Sequence, residues 1–288
     1  MGAKKLSVHW AIHHHQPVGN LENVFEEVYQ RSYFPLMSAV AATPCVRLHV
    51  SYSAPVLRFL EKKHPEYIEL LQAMQDENRL EILATGFYEP VLADIAEADR
   101  SGQLELSKLW YRERMGIIPQ GVWLSESVWD KSLIGTFRRA GLDHTIIPAE
   151  RFLQAGWTPA QLQGYFITEE LGETVKVFPN CEELLQLIPF GPVEETTNFL
   201  RRWANRGGMV LTMADVAERW GAWPGTYERI FKDGQIQRLM ELFTQSADWL
   251  RFRLFSETIQ STSPQGSCYL PGGTNTELGA WSLPDEAR

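Results

Sequence analysis

The chain has 288 residues, with 27 basic and 36 acidic side chains and a formal net charge of −9. This acidic balance argues against a general nucleic-acid binder, which needs basic patches to neutralise phosphates. No stretch approaches the roughly 18 consecutive apolar residues of a membrane span. The first residues lack the apolar region of a secretory signal, and the three cysteines lie too far apart for a disulfide framework or a close-spaced zinc motif. We therefore expect a cytoplasmic protein with free thiols.

Short apolar runs alternate along the chain with longer segments of helical periodicity. Polar residues, glycine or proline bound each short run, as is usual for strands. The predicted strands are 6–15, 46–53, 80–86, 121–127, 144–149, 175–180 and 209–215. The predicted helices are 23–42, 54–75, 96–114, 131–140, 181–187, 193–206 and 235–260.

Strands that alternate with helices predict a parallel sheet with right-handed crossovers. Seven strands suit a closed barrel or an open doubly wound sheet. No glycine-rich phosphate-binding loop follows any strand, which argues against the nucleotide-binding form of the open sheet. The sequence predicts a single domain over residues 1–288, with an irregular C-terminal segment from about residue 261.

Polar residues collect at the predicted strand ends, where parallel α/β folds carry their functional sites. The first strand ends in three histidines, of which His13 and His15 share a face because side chains alternate along a strand. Glu89, Glu126 and Asp215 follow or end later strands. Taken singly, such a glutamate often only begins a helix, and paired histidines often lie in a core. Their shared position predicts a functional site.

Four motifs, in order along the chain, resemble those of glycoside hydrolase family 57. They occupy residues 13–20, 86–90, 121–129 and 220–226, and residues 269–271 and 281–284 resemble the segment that closes the catalytic domain. The chain is most similar to the 4-α-glucanotransferase and α-amylase branch. The resemblance implies an α/β fold, an incomplete TIM barrel of the parallel (β/α)7 type, in agreement with the seven predicted strands.

The resemblance also implies retaining cleavage of α-glucosidic bonds, in which two carboxyl groups flank the bond. Glu126 would be the nucleophile. The donor-sugar subsite would be lined by His13, His15 and Glu89, with Trp123 and Trp223 as aromatic walls. The implied partner is an α-glucan or maltooligosaccharide, and neither a metal nor an organic cofactor is needed. The sequence leaves self-association into a homo-oligomer open.

The fourth motif departs from the family pattern, in which an Asp two residues before a Glu is the acid/base. Alignment on Glu218 puts Val216 at the acid position, and valine cannot carry a proton. Asp215 lies one residue earlier and faces the opposite side of a regular strand unless a bulge re-aims it. Glu218 is another candidate carboxylate at the site. Family members usually continue into an extension with a further site-lining motif, which we expect this chain to lack.

Two functions therefore stay open. One is an active retaining α-glucan hydrolase or 4-α-glucanotransferase that uses Glu126 with Asp215, and the other is a non-catalytic relative that binds α-glucan. A metal-dependent polysaccharide deacetylase, with zinc on the histidine-rich first strand, is less favoured. It needs further ligands, and only His49 and His144 remain, neither of them at the carboxyl end of a strand.

Overall fold

The computed structural model describes residues 5–207 and 210–274. These residues fall into two compact units, the first drawn from residues 1–81 and 181–261 and the second from residues 82–180 and 262–288. The predicted single domain over residues 1–288 stays a prediction.

Strands and helices alternate along most of the described chain. The strands are β1 (Leu6–His14), β2 (Leu48–Tyr52), β3 (Leu80–Ala84), β4 (Gly121–Val122), β5 (His144–Pro148), β6 (Phe166–Glu170), β7 (Glu173–Asn180), β8 (Val210–Val216) and β9 (Leu250–Phe252). The α-helices are α1 (Glu22–Val28), α2 (Phe34–Ala41), α3 (Ala54–Lys63), α4 (Pro65–Asp76), α5 (Glu97–Met115), α6 (Leu133–Arg139), α7 (Ala149–Gln154), α8 (Glu182–Leu187), α9 (Val193–Asn205), α10 (Gln235–Gln245) and α11 (Phe255–Ser261).

In the first unit, β1 is the central strand of a parallel sheet. It pairs with β8 along most of its length, with β2 near its carboxyl end and with β9 near its start. Nearly every residue of β1 is buried, as expected for a parallel strand that is covered on both faces. Trp10 of β1 packs against Trp220, with ring centroids 5.2 Å apart, and against Phe252 of β9. This aromatic core fixes the strand whose end carries the histidines.

In the second unit, β3, β4, β5 and β7 are parallel neighbours, and β6 pairs antiparallel with β7. Leu171 and Gly172 join β6 to β7, and both have left-handed φ angles, as a two-residue hairpin turn requires. The core of this unit packs aromatic and branched aliphatic side chains around Trp129, which is 1% exposed. Trp129 follows the turn that contains Glu126, so this turn is joined directly to the core.

Most predicted elements are confirmed within two residues, but four differ. The predicted helix 23–42 is helical throughout, but a π-helical turn over Tyr29–Tyr33 divides it into α1 and α2. The predicted helix 235–260 is wrong: α10 ends at Gln245, and β9 interrupts the pattern because Leu250–Phe252 pair with Leu6–Val8. The predicted helix 54–75 is two helices, broken at His64 because the residue before a proline avoids helical geometry. The predicted strand 121–127 has only its first two residues in β4, and Ser125–Ser127 form a 3₁₀ turn.

Other outcomes concern strands that were not predicted, the C-terminal segment and predicted residues that the structure does not describe. The strands β6 and β9 were not predicted, since both are short and lack a clear alternation. Residues 262–274 contain only isolated bridges, and the irregular C-terminal segment from about residue 261 stays a prediction. Met209 and the motif at residues 281–284 lie outside the described residues. No helix in the described part of the chain is both long and apolar enough to cross a bilayer.

Candidate active site

The end of β1 presents two histidines on one face. The rings of His13 and His15 are stacked, with centroids 5.9 Å apart and planes 15° from parallel, as the strand alternation predicts. His14 points to the opposite face, where its ring stacks on Tyr52 at 4.1 Å. Burial, together with the charge of His13, lowers the pKa of His14 well below its usual value, so His14 is neutral. The strand thus separates a pair of candidate binding residues from a structural histidine.

Glu218 lies beside these histidines, in the turn that follows β8. Its Oε1 atom accepts the backbone N–H of His15 at 2.9 Å and also a short hydrogen bond from the hydroxyl of Tyr33. Burial raises the pKa of the Glu218 carboxyl, against the opposing effect of the bonds from Tyr33 and His15 and of the charge of His13. The structure therefore brings Glu218 to the predicted histidines and adds Tyr33. Sequence reasoning missed Tyr33 because it lies in a helical segment far from any strand end.

β8 stays regular to its last residue and has no bulge. In its parallel register with β1, Ile12 lies opposite Asp215 and His13 lies opposite Val216. Opposite residues of paired strands share a face. The Val216 side chain therefore lies on the face of His13, and Asp215 lies on the other face.

The Asp215 carboxyl is held in a buried ion pair. Its Oδ2 atom accepts hydrogen bonds from Arg219 Nη1 and Trp220 Nε1, both at 3.0 Å, and its Oδ1 accepts the backbone N–H of Val216 at 2.9 Å. Asp215 is only 7% exposed. Burial raises the pKa of Asp215, while Arg219 opposes this effect. The three donors fix the turn after β8, which is a structural use of the carboxyl that was predicted to transfer protons.

The second unit carries the other two predicted carboxylates. Glu89 follows β3, has a left-handed φ of 60° and is closed into a turn by its N–H, which donates to the Gly86 carbonyl at 2.7 Å. Its carboxylate accepts a short hydrogen bond from Thr85 and one from Ser125 Oγ at 2.8 Å. Ser125 is the residue before Glu126. The structure thus brings Glu89 to the backbone that carries the predicted nucleophile.

Glu126 lies in the 3₁₀ turn after β4 with its side chain exposed to solvent. Both Glu126 and Ser127 have a φ of 53°, the left-handed region that non-glycine residues rarely adopt. Such outliers cluster at functional sites because the surrounding structure must hold them. The Thr274 hydroxyl donates to the Glu126 carbonyl at 2.5 Å, a contact that no pattern in the sequence could indicate.

The two predicted aromatic walls differ in exposure. Trp123 is 8% exposed, and its backbone N–H donates to the Ala84 carbonyl at 2.7 Å. Trp223 is 48% exposed, and its N–H donates to the Glu218 carbonyl at 3.1 Å. Trp223 therefore offers a ring face for stacking close to the Glu218 turn, while Trp123 is mainly a packed side chain.

The two further histidines considered as zinc ligands for a deacetylase, His49 and His144, make contacts within the fold. His49 Nδ1 lies 3.0 Å from the Trp10 carbonyl, and its Nε2 accepts the Phe255 N–H at 2.8 Å, so both ring nitrogens are occupied. His144 is the first residue of β5, and its Nδ1 lies 2.7 Å from Asp143. Both lie away from the carboxyl end of their strand, as expected from the sequence.

Comparison with known proteins finds a family model and several relatives that match nearly the whole chain. A family model described as Glycosyl hydrolase family 57 matches residues 5–271. The chain is 36% identical over 282 residues to a 4-alpha-glucanotransferase of Thermococcus litoralis, covering 98% of this chain and 42% of the relative. It is 37% identical over 276 residues to an alpha-amylase of Pyrococcus horikoshii, covering 96% and 43%. The chain spans less than half the length of these relatives.

Solved structures with a similar fold include members of the same two named activities. The crystal structure of the 4-alpha-glucanotransferase from Thermococcus litoralis matches with a TM-score of 0.92 at 36% identity, over 98% of this chain and 44% of that chain. An alpha-amylase from Thermotoga maritima matches with a TM-score of 0.72 at 15% identity, over 96% and 79%, and shows likeness of fold alone. The predicted fold class, an α/β barrel of the incomplete (β/α)7 type, is confirmed.

Proposed function

Because the chain belongs to glycosyl hydrolase family 57, we propose that it acts on α-1,4-glucans as a retaining glycosidase or 4-α-glucanotransferase with Glu126 as its nucleophile. The observation that carries this proposal is the exposed Glu126 carboxylate on a left-handed turn inside the third family motif. An exposed, positioned carboxylate is what attack on an anomeric carbon requires.

The proposed reaction has two steps. Glu126 attacks the anomeric carbon and forms a covalent glycosyl-enzyme, while the departing glucan oxygen takes a proton and leaves as a hydroxyl. Water or the hydroxyl of an acceptor glucan then attacks the same carbon, loses its proton to a base and releases Glu126. Water gives hydrolysis, and an acceptor glucan gives transfer with the anomeric configuration retained.

We propose that the sugar is bound by the predicted polar residues and by two aromatic side chains, of which Trp223 is the exposed one. Hydroxyl groups of a glucose unit suit the imidazoles and carboxylates, and its apolar face suits the Trp223 ring. The proposed set is His13, His15, Glu89, Trp123, Glu218 and Trp223. The stacked pair of histidines supports this assignment, as does the hydrogen bond of Ser125 to Glu89.

The proposed reaction lacks a carboxyl group at the position expected for the general acid/base. Asp215 as the acid/base stays a prediction, and it would require the carboxyl to leave Arg219 and Trp220. Loss of a general acid typically costs a factor of about 10²–10⁴ in rate. Val216 on the His13 face and the buried ion pair of Asp215 therefore favour a second candidate, an α-glucan-binding protein with little turnover.

We also propose a cytoplasmic location, with an α-glucan or maltooligosaccharide as partner and without a role for nucleic acid. The net charge of −9 supports the last point. The retaining glycosidase reaction proposed here needs no metal or organic cofactor.

The test uses two substrates that differ in their need for a proton. Purified protein is incubated with maltoheptaose and with α-maltosyl fluoride, whose fluoride ion leaves without a general acid. We expect a burst of fluoride release that Glu126→Gln abolishes, because the nucleophile alone forms the glycosyl-enzyme. Glu113→Gln, an exposed carboxyl on α5, is the matched control and should keep the burst.

The products separate the two candidates. Redistribution of maltoheptaose chain lengths that depends on Glu126 supports the enzyme. A fluoride burst without change in maltoheptaose, or calorimetric binding of maltoheptaose without any burst, supports the glucan-binding candidate. Absence of both turnover and binding contradicts the two proposals together.

A further inference from the structure

The turn that carries Glu126 is strained and needs support from outside itself. Two successive residues, Glu126 and Ser127, adopt the left-handed region without being glycine. Each such residue is unfavourable in an isolated chain, because its Cβ crowds the backbone. The turn has internal hydrogen bonds from the N–H groups of Ser127 and Val128 to the carbonyls of Leu124 and Ser125, at 3.0 and 3.2 Å.

A segment distant in sequence supplies further support, and we name residues 272–274 the clamp. Gly273 and Trp129 exchange both backbone hydrogen bonds, at 2.7 and 2.8 Å, as an antiparallel bridge. The next residue, Thr274, donates its hydroxyl to the Glu126 carbonyl at 2.5 Å. The clamp therefore holds the turn at both ends, because Glu126 begins the strained pair and Trp129 ends the loop.

The clamp is itself fixed in place. Arg151 Nη1 donates to the Gly272 carbonyl at 3.3 Å. Gly273 has a φ of 136°, a backbone conformation that residues with a side chain rarely adopt, so this position favours glycine. Trp129 is 1% exposed within the core of the second unit. These contacts hold the clamp in a defined position. The clamp begins just beyond residue 271, where the family match ends.

We propose that Thr274 is a positioning residue for Glu126: its hydroxyl fixes the peptide that aims the nucleophilic carboxylate. This inference rests on the proposed function, because it takes Glu126 as the nucleophile. The Thr274 hydroxyl contacts the backbone and not the carboxyl, so it acts through Glu126. A small misplacement of a nucleophile can cost about 10²-fold in rate, and loss of this one bond lowers the rate of glycosyl-enzyme formation.

The test compares Thr274→Val, which removes the hydroxyl at similar size, with Thr274→Ser, which keeps it. The readout is the rate of the fluoride burst from α-maltosyl fluoride against substrate concentration. We expect Thr274→Val to lower the maximal rate about 10- to 100-fold while the half-saturating concentration stays within about 2-fold. Thr274→Ser should restore the rate. Thr174→Val, at an exposed position of β7, is the matched control.

Amide hydrogen exchange of Ser127, Val128 and Trp129 provides a readout that needs no activity. Thr274→Val should speed this exchange, and Thr274→Ser should not. A lower melting temperature with an unchanged maximal rate would assign Thr274 a merely structural role and overturn the proposal, as would a Thr274→Val variant with wild-type rate and exchange. If the wild type itself releases no fluoride, the proposed catalytic activity fails. Unchanged exchange in Thr274→Val would then separately overturn the proposed support of the turn by Thr274.

Discussion

Val216 and His13 lie opposite each other on β8 and β1, so a side chain at position 216 points to the face of the stacked histidines. The neighbouring Asp215 points to the other face and is bound by Arg219 and Trp220. The Asp215 carboxyl thus lies one residue before position 216, where the family pattern places the acid/base. A shift of one residue along a strand reverses the face of the side chain.

Val216→Asp should therefore supply a proton donor on the His13 face. We expect the rate of maltoheptaose redistribution to rise about 10²-fold or more, because general acid/base catalysis typically contributes that factor. The measurement is chromatography of the products over time. Val216→Asn has nearly the same shape without a titrating proton, and equal rates for the two variants would contradict the prediction.

The hydrogen-bond partners of the candidate site residues could not be predicted from the sequence. Position at the predicted strand ends, together with motif resemblance, indicated Glu126, Glu89, His13 and Glu218 as candidates. Tyr33, whose hydroxyl binds Glu218, and Ser125, whose hydroxyl binds Glu89, carry no distinguishing pattern. Serine and tyrosine are common in helices and turns, and only the folded backbone shows which of them reaches a carboxylate.

At the scale of elements, a side-chain contact links the start of β5 to the middle of β7 in the second unit. Asp143 precedes β5, and its carboxylate accepts hydrogen bonds from Lys176 of β7 at 2.6 Å and from His144 at 2.7 Å. His144 and Lys176 lie opposite each other in the β5–β7 register. One carboxylate thus links two neighbouring strands. Burial on its own raises the pKa of Asp143, but the His144 and Lys176 bonds outweigh it and lower the pKa below its usual range.

This lowered pKa predicts a pH dependence of stability. The unfolded chain binds a proton at Asp143 more readily than the folded protein does, so the stabilising effect is present above about pH 4 and is lost as the pH falls toward about 2. Asp143→Asn should lower the free energy of unfolding at neutral pH and reduce its loss on acidification. Urea unfolding between these pH values measures both effects. Glu113→Gln is the control, and a wild-type slope in Asp143→Asn would refute the link.

Element boundaries were predictable where the local pattern and the tertiary pairing agree. The buried strands β1, β5 and β8 begin and end within two residues of the predicted limits. The amphipathic pattern over 235–260 continues past the end of α10, and pairing of Leu250–Phe252 with the start of β1 overrides it. A three-residue strand cannot be recognised from its own sequence, because its conformation depends on the partner.

At the scale of the whole molecule, ligand binding should stabilise the folded chain. A ligand that binds only the folded state at 100 times its dissociation constant adds about 2.7 kcal/mol to the free energy of unfolding. For a chain of this size we expect maltoheptaose to raise the melting temperature by about 5 °C. The same should hold for Glu126→Gln, because binding does not require the nucleophile.

The comparison ligand is cellohexaose, a β-linked glucan that should leave the melting temperature unchanged. Trp223→Ala should reduce the shift given by maltoheptaose, since the 48% exposed ring is the proposed stacking surface. An identical shift with both glucans would contradict recognition of the α-linkage.

The sequence by itself determined the family, the fold class, the candidate nucleophile Glu126 and the valine at the expected acid position, because these depend on the order and chemistry of side chains. Only the tertiary structure decided that β8 has no bulge, that Asp215 is bound by Arg219, and that Thr274 holds the Glu126 carbonyl from 148 residues away. The physical reason is that the regularity of a strand and the hydrogen-bond partners of a side chain depend on contacts between segments distant in sequence. Local alternation predicts the face of a side chain only if the strand is regular, and it does not indicate the partners.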